Sequence, residues 1–168
     1  MTTLLHRLAS LRRRMMRERM SVSRMAAGWA LGMFVGCFIP FGLQLVIVIP
    51  LAVALKVSKL GATIATFITN PFTIFIIYPA QCWVGSRLIG APLSWEYLSE
   101  DVLPTLMSVS IWSLEGLKSF LDLGARLVGG FLAGGLLLAI ILSPLTYFVV
   151  KLMVTKWRAK RGRADDRA

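Results

Sequence analysis

The sequence predicts an all-α integral membrane protein that combines transmembrane helices, broken or re-entrant helix hairpins and amphipathic interfacial helices. Composition is the first observation, because 57% of the 168 residues are hydrophobic and 16% are charged, whereas a soluble domain carries about 25% charged residues. The second observation is that the basic charge collects near the two ends of the chain. The third is that residues 25–55, 60–86 and 127–150 contain no charged residue, and each stretch is long enough for a membrane segment.

The two basic ends carry most of the net charge of +11. In a membrane protein such ends are topology signals that favour the cytoplasm. We therefore predict a basic amphipathic cytoplasmic arm over residues 1–24, which contacts the bilayer and its anionic lipid headgroups, and a basic cytoplasmic tail over residues 151–168. This interpretation disfavours nucleic acid as a partner. The first apolar run is also longer than the roughly 7–15 residues of a signal peptide's apolar region, so we expect it to be retained.

The first apolar stretch, residues 25–55, does not fit a single crossing. As one straight helix it would be roughly 46 Å long, against a hydrocarbon core of about 30 Å, and it is too short for two full crossings. Pro40 opposes a continuing helix and Gly42 permits a turn. The length and the break together predict a re-entrant hairpin over residues 25–55.

The second apolar stretch has its break at Asn70 and Pro71. Asparagine is a preferred N-cap, and proline is favoured at the first position of a helix. The pair therefore predicts the start of a fresh helix within a broken transmembrane helix over residues 60–88.

The linkers predict the topology of the membrane domain, residues 25–150. Lys56 and Lys59 place the first linker in the cytoplasm. Residues 91–122 are acidic and predict an external interfacial segment, and residues 124–150 predict a returning transmembrane helix. Both termini are then cytoplasmic. The alternative is a four-span bundle, in which residues 25–55 cross the membrane and residues 102–121 form a fourth span.

The glycine, proline and polar positions of these segments form a pattern with a family resemblance. The sequence resembles, over residues 21–156, the bacterial membrane family catalogued as domain of unknown function two-zero-six-two. The resemblance implies a multi-pass inner-membrane protein whose biochemical role is not established. The present sequence differs from the family pattern at Ile74, Phe75 and Ile76. The residues that carry it are Gly32, Gly36, Pro40, Gly42, Gln44, Asn70, Pro71, Phe72, Thr73, Tyr78, Gly129, Gly130, Gly134, Gly135 and Tyr147.

Two sets of residues are candidates for a role in packing or function. Glycines four residues apart let helix backbones approach closely, within one chain or across a homodimer. Polar side chains in an apolar stretch must find partners, so they either cap broken helices or line a substrate pathway where half-helices meet. The packing candidates are Gly28, Gly32, Gly36, Gly130 and Gly134, and the pathway candidates are Gln44, Thr66, Thr69, Asn70 and Thr73.

The apolar stretches contain no Asp, Glu, His, Lys or Arg, which disfavours proton-coupled transport and acid–base catalysis. The single histidine, His6, does not make a metal site by itself. We therefore predict that the protein is not an enzyme, with no catalytic residues, metal or cofactor. Two hypotheses remain open. The first is an uncoupled small-solute or lipid transporter that works as a homo-oligomer, and the second is a membrane scaffold or accessory subunit that acts through helix packing.

Overall fold

The computed structural model describes residues 20–98 and 124–165, with the side chains of residues 125 and 160–165 left out. The described residues form helices and no strand, in agreement with the predicted all-α class. The helices are α1 (Val22–Phe38), α2 (Leu43–Ala54), α3 (Lys59–Thr66), α4 (Ile74–Leu88), the single turn α5 (Trp95–Tyr97) and α6 (Ala125–Asp165). The predicted arm over residues 1–24 and the predicted external segment over residues 91–122 lie mostly outside the described residues.

The long helix α6 is the element against which the others pack. Its 41 residues correspond to about 60 Å at 1.5 Å per residue. Its carboxyl half packs on the start of α1, where Met25 contacts Val150 and Val154. Its amino half packs on α4, where the Tyr78 and Phe131 rings meet edge to face at 5.0 Å. Both α1 and α4 run antiparallel to α6.

Helices α1 and α2 form an antiparallel hairpin. The chain turns after α1 and returns to its starting level, because the Ser58 amide donates to the Arg24 carbonyl at 3.3 Å. Between the two helices lies a small apolar core that includes Val35 and Val48 and also Ala62 of α3.

Helix α3 then runs alongside α1 in the same direction. The close approaches follow in order, with Gly28 beside Ser58, Gly32 beside Ala62 and Gly36 beside Thr66. Since α4 has the same orientation relative to α6 as α1 does, α3 and α4 run in the same direction one after the other, and we call the two together the α3–α4 rod. Residues 20, 58 and 158 lie at one end of the molecule, and residues 89 and 129 lie at the other.

Of the described helices, α6 is the one long and apolar enough to cross a membrane, over Arg126–Ala159. Helices α1 and α2 are apolar but shorter. The second predicted crossing is divided between α3, with 8 residues, and α4, with 15 residues. Length and composition therefore identify one candidate span and do not by themselves support several crossings.

The tightest contact between α4 and α6 yields a testable prediction. A Cβ at Gly85 would overlap the Gly130 carbonyl oxygen and the Gly134 amide nitrogen, both of which are backbone atoms that do not yield easily. We expect Gly85→Ala to lower the free energy of unfolding by roughly 1–3 kcal/mol, as overpacking does, in a thermal unfolding series in detergent.

Gly129→Ala is the matched control, because its Cβ would meet only the flexible end of Ile89 at 3.1 Å. Equal effects of the two substitutions would contradict the packing of α4 on α6.

Candidate functional site

The first helix break lies at Pro40 and Gly42. Ile39 leaves the helical conformation, with φ −99° and ψ 136°, as residues before proline commonly do. Gly42 has φ 101°, in the region that favours glycine. Proline has no amide hydrogen, so the Gly36 carbonyl loses the partner that residue 40 would supply in a continuous helix.

The hydroxyl of Thr69 takes the place of that missing donor. It lies 3.0 Å from the Gly36 carbonyl oxygen and 3.0 Å from Oε1 of Gln44, and its single hydrogen donates to one of these two acceptors at a time. Thr69 is fully buried. The other group freed by the break is the Phe41 amide, which donates to the Tyr78 hydroxyl at 2.5 Å. Side chains from the second broken segment therefore complete the hydrogen bonds of the first break.

The backbone hydrogen-bonding groups at the second break are paired mainly with side chains of the same segment. Pro71 removes the donor that the Phe67 carbonyl would receive, and the Asn70 side-chain amide replaces it at 3.2 Å. Asn70 Oδ1 also accepts from the Phe72 amide at 2.9 Å and the Thr73 amide at 3.1 Å. The Thr73 hydroxyl in turn accepts from the Asn70 amide at 2.9 Å. This is a reciprocal cap of the kind that begins a helix.

One backbone carbonyl of the second break accepts a hydrogen bond from a side chain beside the first break. The Thr69 carbonyl accepts from Nε2 of Gln44 at 3.4 Å, and Gln44 lies at the start of α2, where it is buried. We call Gly36, Gln44 and Thr69 the break junction, because these three residues hydrogen-bond the two breaks to each other inside the protein.

The predicted pathway residues thus divide into three groups. Gln44 and Thr69 meet at the break junction. Asn70 and Thr73 cap the second break at a partly exposed position. Thr66 is fully buried, but its hydroxyl donates within its own helix to the Thr63 carbonyl at 2.7 Å.

Gln81 is a polar residue of this region that the sequence analysis did not select. It is 1% exposed, and its Nε2 donates to the Phe131 carbonyl at 2.8 Å. Its Oε1 has no hydrogen-bond partner among the described residues. Gly135 of α6 lies against both Nε2 of Gln81 and the Cys37 carbonyl, so Gln81 lies beside the end of α1. The signal available in the sequence was an isolated amide side chain in an apolar stretch.

The predicted packing glycines all make contacts within the chain. Gly28, Gly32 and Gly36 approach α3 and its preceding turn, and Gly130 and Gly134 approach α4. A Cβ at Gly32 would overlap the Ala62 carbonyl, and one at Gly134 would overlap the Gln81 carbonyl. These glycines bring the two broken segments against α1 and α6, and they are not available to a second molecule.

Within the described residues, the fold and the break junction define a class, namely a helical protein with two facing helix breaks and one helix that is long and apolar enough to cross a membrane. The chain belongs to the family described as an uncharacterized protein conserved in bacteria (DUF2062), which it matches over residues 5–163. This confirms the resemblance that the glycine, proline and polar positions indicated. No curated protein and no solved structure matches the chain.

The break junction gives a prediction for stability. Thr69→Val keeps the shape of the side chain but removes the one hydroxyl hydrogen that the Gly36 carbonyl and Gln44 Oε1 share. A buried polar group without a partner costs about 1–3 kcal/mol, so we expect the free energy of unfolding to fall by that amount in a denaturant titration in detergent.

Thr69→Ser retains the hydroxyl and is the matched control. We expect it to recover most of the loss. If Thr69→Ser were as unstable as Thr69→Val, the hydrogen bonds of the break junction would not be the cause.

Proposed function

We propose that the chain is a multi-pass protein of the bacterial inner membrane, with both termini cytoplasmic. In this arrangement the rod formed by α3 and α4 crosses once, α6 crosses back, and α1–α2 is a re-entrant hairpin. The hairpin geometry supports this proposal, because α1 begins and α2 ends at the same end of the molecule. At 17 residues, α1 is about 25 Å long, which is less than the roughly 30 Å hydrocarbon core.

The exposed surface also supports a membrane location. A core helix of a soluble protein is mostly buried, whereas only 17% of the most apolar window of α6 is buried. Large apolar residues follow the outer face of α6 at helical spacing, and α4 exposes Phe75 and Ile76 in the same way. Lipid tails would cover such a surface without cost. The exposed large apolar residues of α6 are Leu132, Leu136, Ile140, Ile141, Leu145, Phe148, Val149, Leu152 and Met153.

We further propose that the protein is an uncoupled transporter for small neutral solutes or lipids, with the region between the break junction and Gln81 as its polar site. The observation that carries this proposal is the buried Oε1 of Gln81, which lies without a hydrogen-bond partner among the described residues. An unpartnered buried acceptor is costly and calls for an explanation, and a transient solute that donates a hydrogen bond provides one. The groups at this site are amides and a hydroxyl, which do not exchange protons near neutral pH. We accordingly propose no enzymatic role.

A second candidate function, a membrane scaffold or accessory subunit, has one specific observation in its favour. The apolar stripe on α6 is exposed in the single chain, and helices of a partner or of a second copy could pack there. Homo-oligomerisation through the same stripe would also help a protein with so few crossings to enclose a pathway.

The topology can be tested by cysteine labelling. The background carries Cys37→Ser and Cys82→Ser, because both native cysteines are buried. Lys56→Cys and Pro92→Cys then place single thiols at exposed positions on opposite ends of the molecule. We expect an impermeant thiol reagent to reach residue 92 from the periplasm and residue 56 only after the inner membrane is opened. Labelling of both residues from the same side would contradict the proposed topology.

Transport can be tested with purified protein in liposomes, by following lipid scrambling with a fluorescent phospholipid and glycerol entry by light scattering. We expect the wild-type protein to accelerate one of these processes. We expect Gln81→Leu to slow it about tenfold, because one lost hydrogen bond of roughly 1.4 kcal/mol in the limiting step corresponds to that factor.

Gln81→Leu removes an acceptor that has no partner and also the hydrogen bond from Nε2 to the Phe131 carbonyl, so we expect it to lower the free energy of unfolding by about 1 kcal/mol and to remain folded, which its thermal unfolding midpoint checks. Lys156→Gln on the exposed part of α6 is the control and should transport like the wild type. Wild-type protein that moves neither probe, or a Gln81→Leu variant with unchanged rates, would refute the transport proposal and leave the scaffold as the remaining candidate.

A further inference from the structure

A cavity of about 510 Å³ lies at the end of the molecule where the α1–α2 hairpin opens. Three cationic residues, Arg24, Lys56 and Lys59, line it. Its remaining wall is apolar and includes Ala52 and Val53. The cavity is therefore a place where a cationic rim meets an apolar wall.

The electrostatics of this cavity favour an anion. The described part of the chain presents one carboxylate side chain, that of Glu96, which follows α4 at the opposite end of the molecule. The cavity also lies at the start of α3, where the amino end of a helix carries partial positive charge. The Arg158 guanidinium lies nearby and donates to the Met20 carbonyl at 2.7 Å.

Lys56 occupies a backbone position where glycine is usual. It has φ 54°, in the left-handed region. The end of α2 is closed by two hydrogen bonds, from the Lys56 amide to the Val53 carbonyl at 3.1 Å and from the Val57 amide to the Ala52 carbonyl at 3.0 Å. This is the Schellman arrangement, whose left-handed residue is most often glycine. Lysine at this position is less favourable for the backbone, but it places an ammonium group at the rim of the cavity.

An apolar path leads away from the cavity along the outer face of α2. Val53, Ile49 and Val46 are exposed on this face, at 51%, 43% and 58%, and their spacing of four and three residues puts them in one row. A ligand that matches both features has a phosphate group for the cationic rim and acyl chains for the apolar row. Free phosphate would use only the first feature.

We propose that this cavity binds the headgroup of an anionic phospholipid, with Arg24, Lys56 and Lys59 around the phosphate and the acyl chains along α2. The proposal rests on the membrane location argued above, but it does not depend on transport. The cavity and the break junction lie at opposite ends of α2, so a failure of one proposal leaves the other intact.

The experiment is a titration of the delipidated full-length protein in detergent with phosphatidylglycerol and, separately, with phosphatidylcholine, followed by native mass spectrometry. We expect the first phosphatidylglycerol to bind at least about fivefold more tightly than phosphatidylcholine. Each lysine near an anionic surface contributes about 1 kcal/mol, which is about fivefold in affinity. Lys56→Gly should therefore weaken phosphatidylglycerol binding about fivefold, and Lys56→Gly combined with Lys59→Gln about thirtyfold.

Lys56→Gly is chosen because glycine suits the left-handed backbone position, so its thermal unfolding midpoint should be at least that of the wild type. Lys156→Gln is the matched control for charge, and we expect its affinity to stay within about twofold of the wild type. The proposal is overturned if the two lipids bind equally, or if Lys156→Gln loses as much affinity as Lys56→Gly. It is also overturned if inorganic phosphate at the same concentration binds as tightly as phosphatidylglycerol, since the acyl chains would then contribute nothing and the cavity would be a phosphate site.

Discussion

The hydrogen bonds lost at two prolines are the constraint on which this structure depends. Pro40 and Pro71 each remove one backbone donor, and the carbonyls of Gly36 and Phe67 would be left without partners in surroundings where water is scarce. The Thr69 hydroxyl lies within hydrogen-bond distance of the Gly36 carbonyl, and the Asn70 side-chain amide donates to the Phe67 carbonyl. Each break is therefore stabilised by a particular side chain, and one of the two side chains comes from the other break. The α1–α2 hairpin and the α3–α4 rod thereby fix each other's position.

Close approach of backbones makes this exchange of hydrogen bonds possible. Gly36 lies against Thr66 and Ile68, with contacts of 3.1–3.4 Å to a hypothetical Cβ, so the hydroxyl of Thr69 can reach a carbonyl in the neighbouring helix. Gly130 and Gly134 of α6 likewise let the backbone of α4 approach closely. One long helix thus serves as the common support for α1 at its carboxyl half and α4 at its amino half. The breaks lie where these two supported regions meet, in the middle of the molecule.

Much of this arrangement could be predicted from single residues, because proline and glycine act locally. Pro40 and Gly42 located the turn of the hairpin, and Asn70 with Pro71 located the second break. The helix itself begins at Ile74, with Thr73 as its N-cap, three residues later than the pair predicted, because residues 71–73 form a turn that Asn70 caps. The hydrogen-bond partner of each polar side chain could not be predicted from the sequence, because it depends on which segments lie side by side. Thr66 and Thr69 look equivalent in the sequence, yet one bonds within its own helix and the other joins two breaks. Gln81 lies ten residues from Pro71, and only its packing against Gly134 and Gly135 brings it near the end of α1.

The cationic side chains lie near one end of α2 only, and this limits which ligands the two ends of the helix can bind. The helix has 12 residues and is about 18 Å long, with the cationic cavity at its carboxyl end and the break junction at its amino end. The junction offers dipoles of amides and a hydroxyl and no charged side chain, so an anionic headgroup moved there from the cavity would lose both its water and its cations. Such a transfer is costly in an apolar environment. The two proposals therefore give the two regions different ligands, an anionic lipid at the cationic end of α2 and a neutral molecule at the break junction.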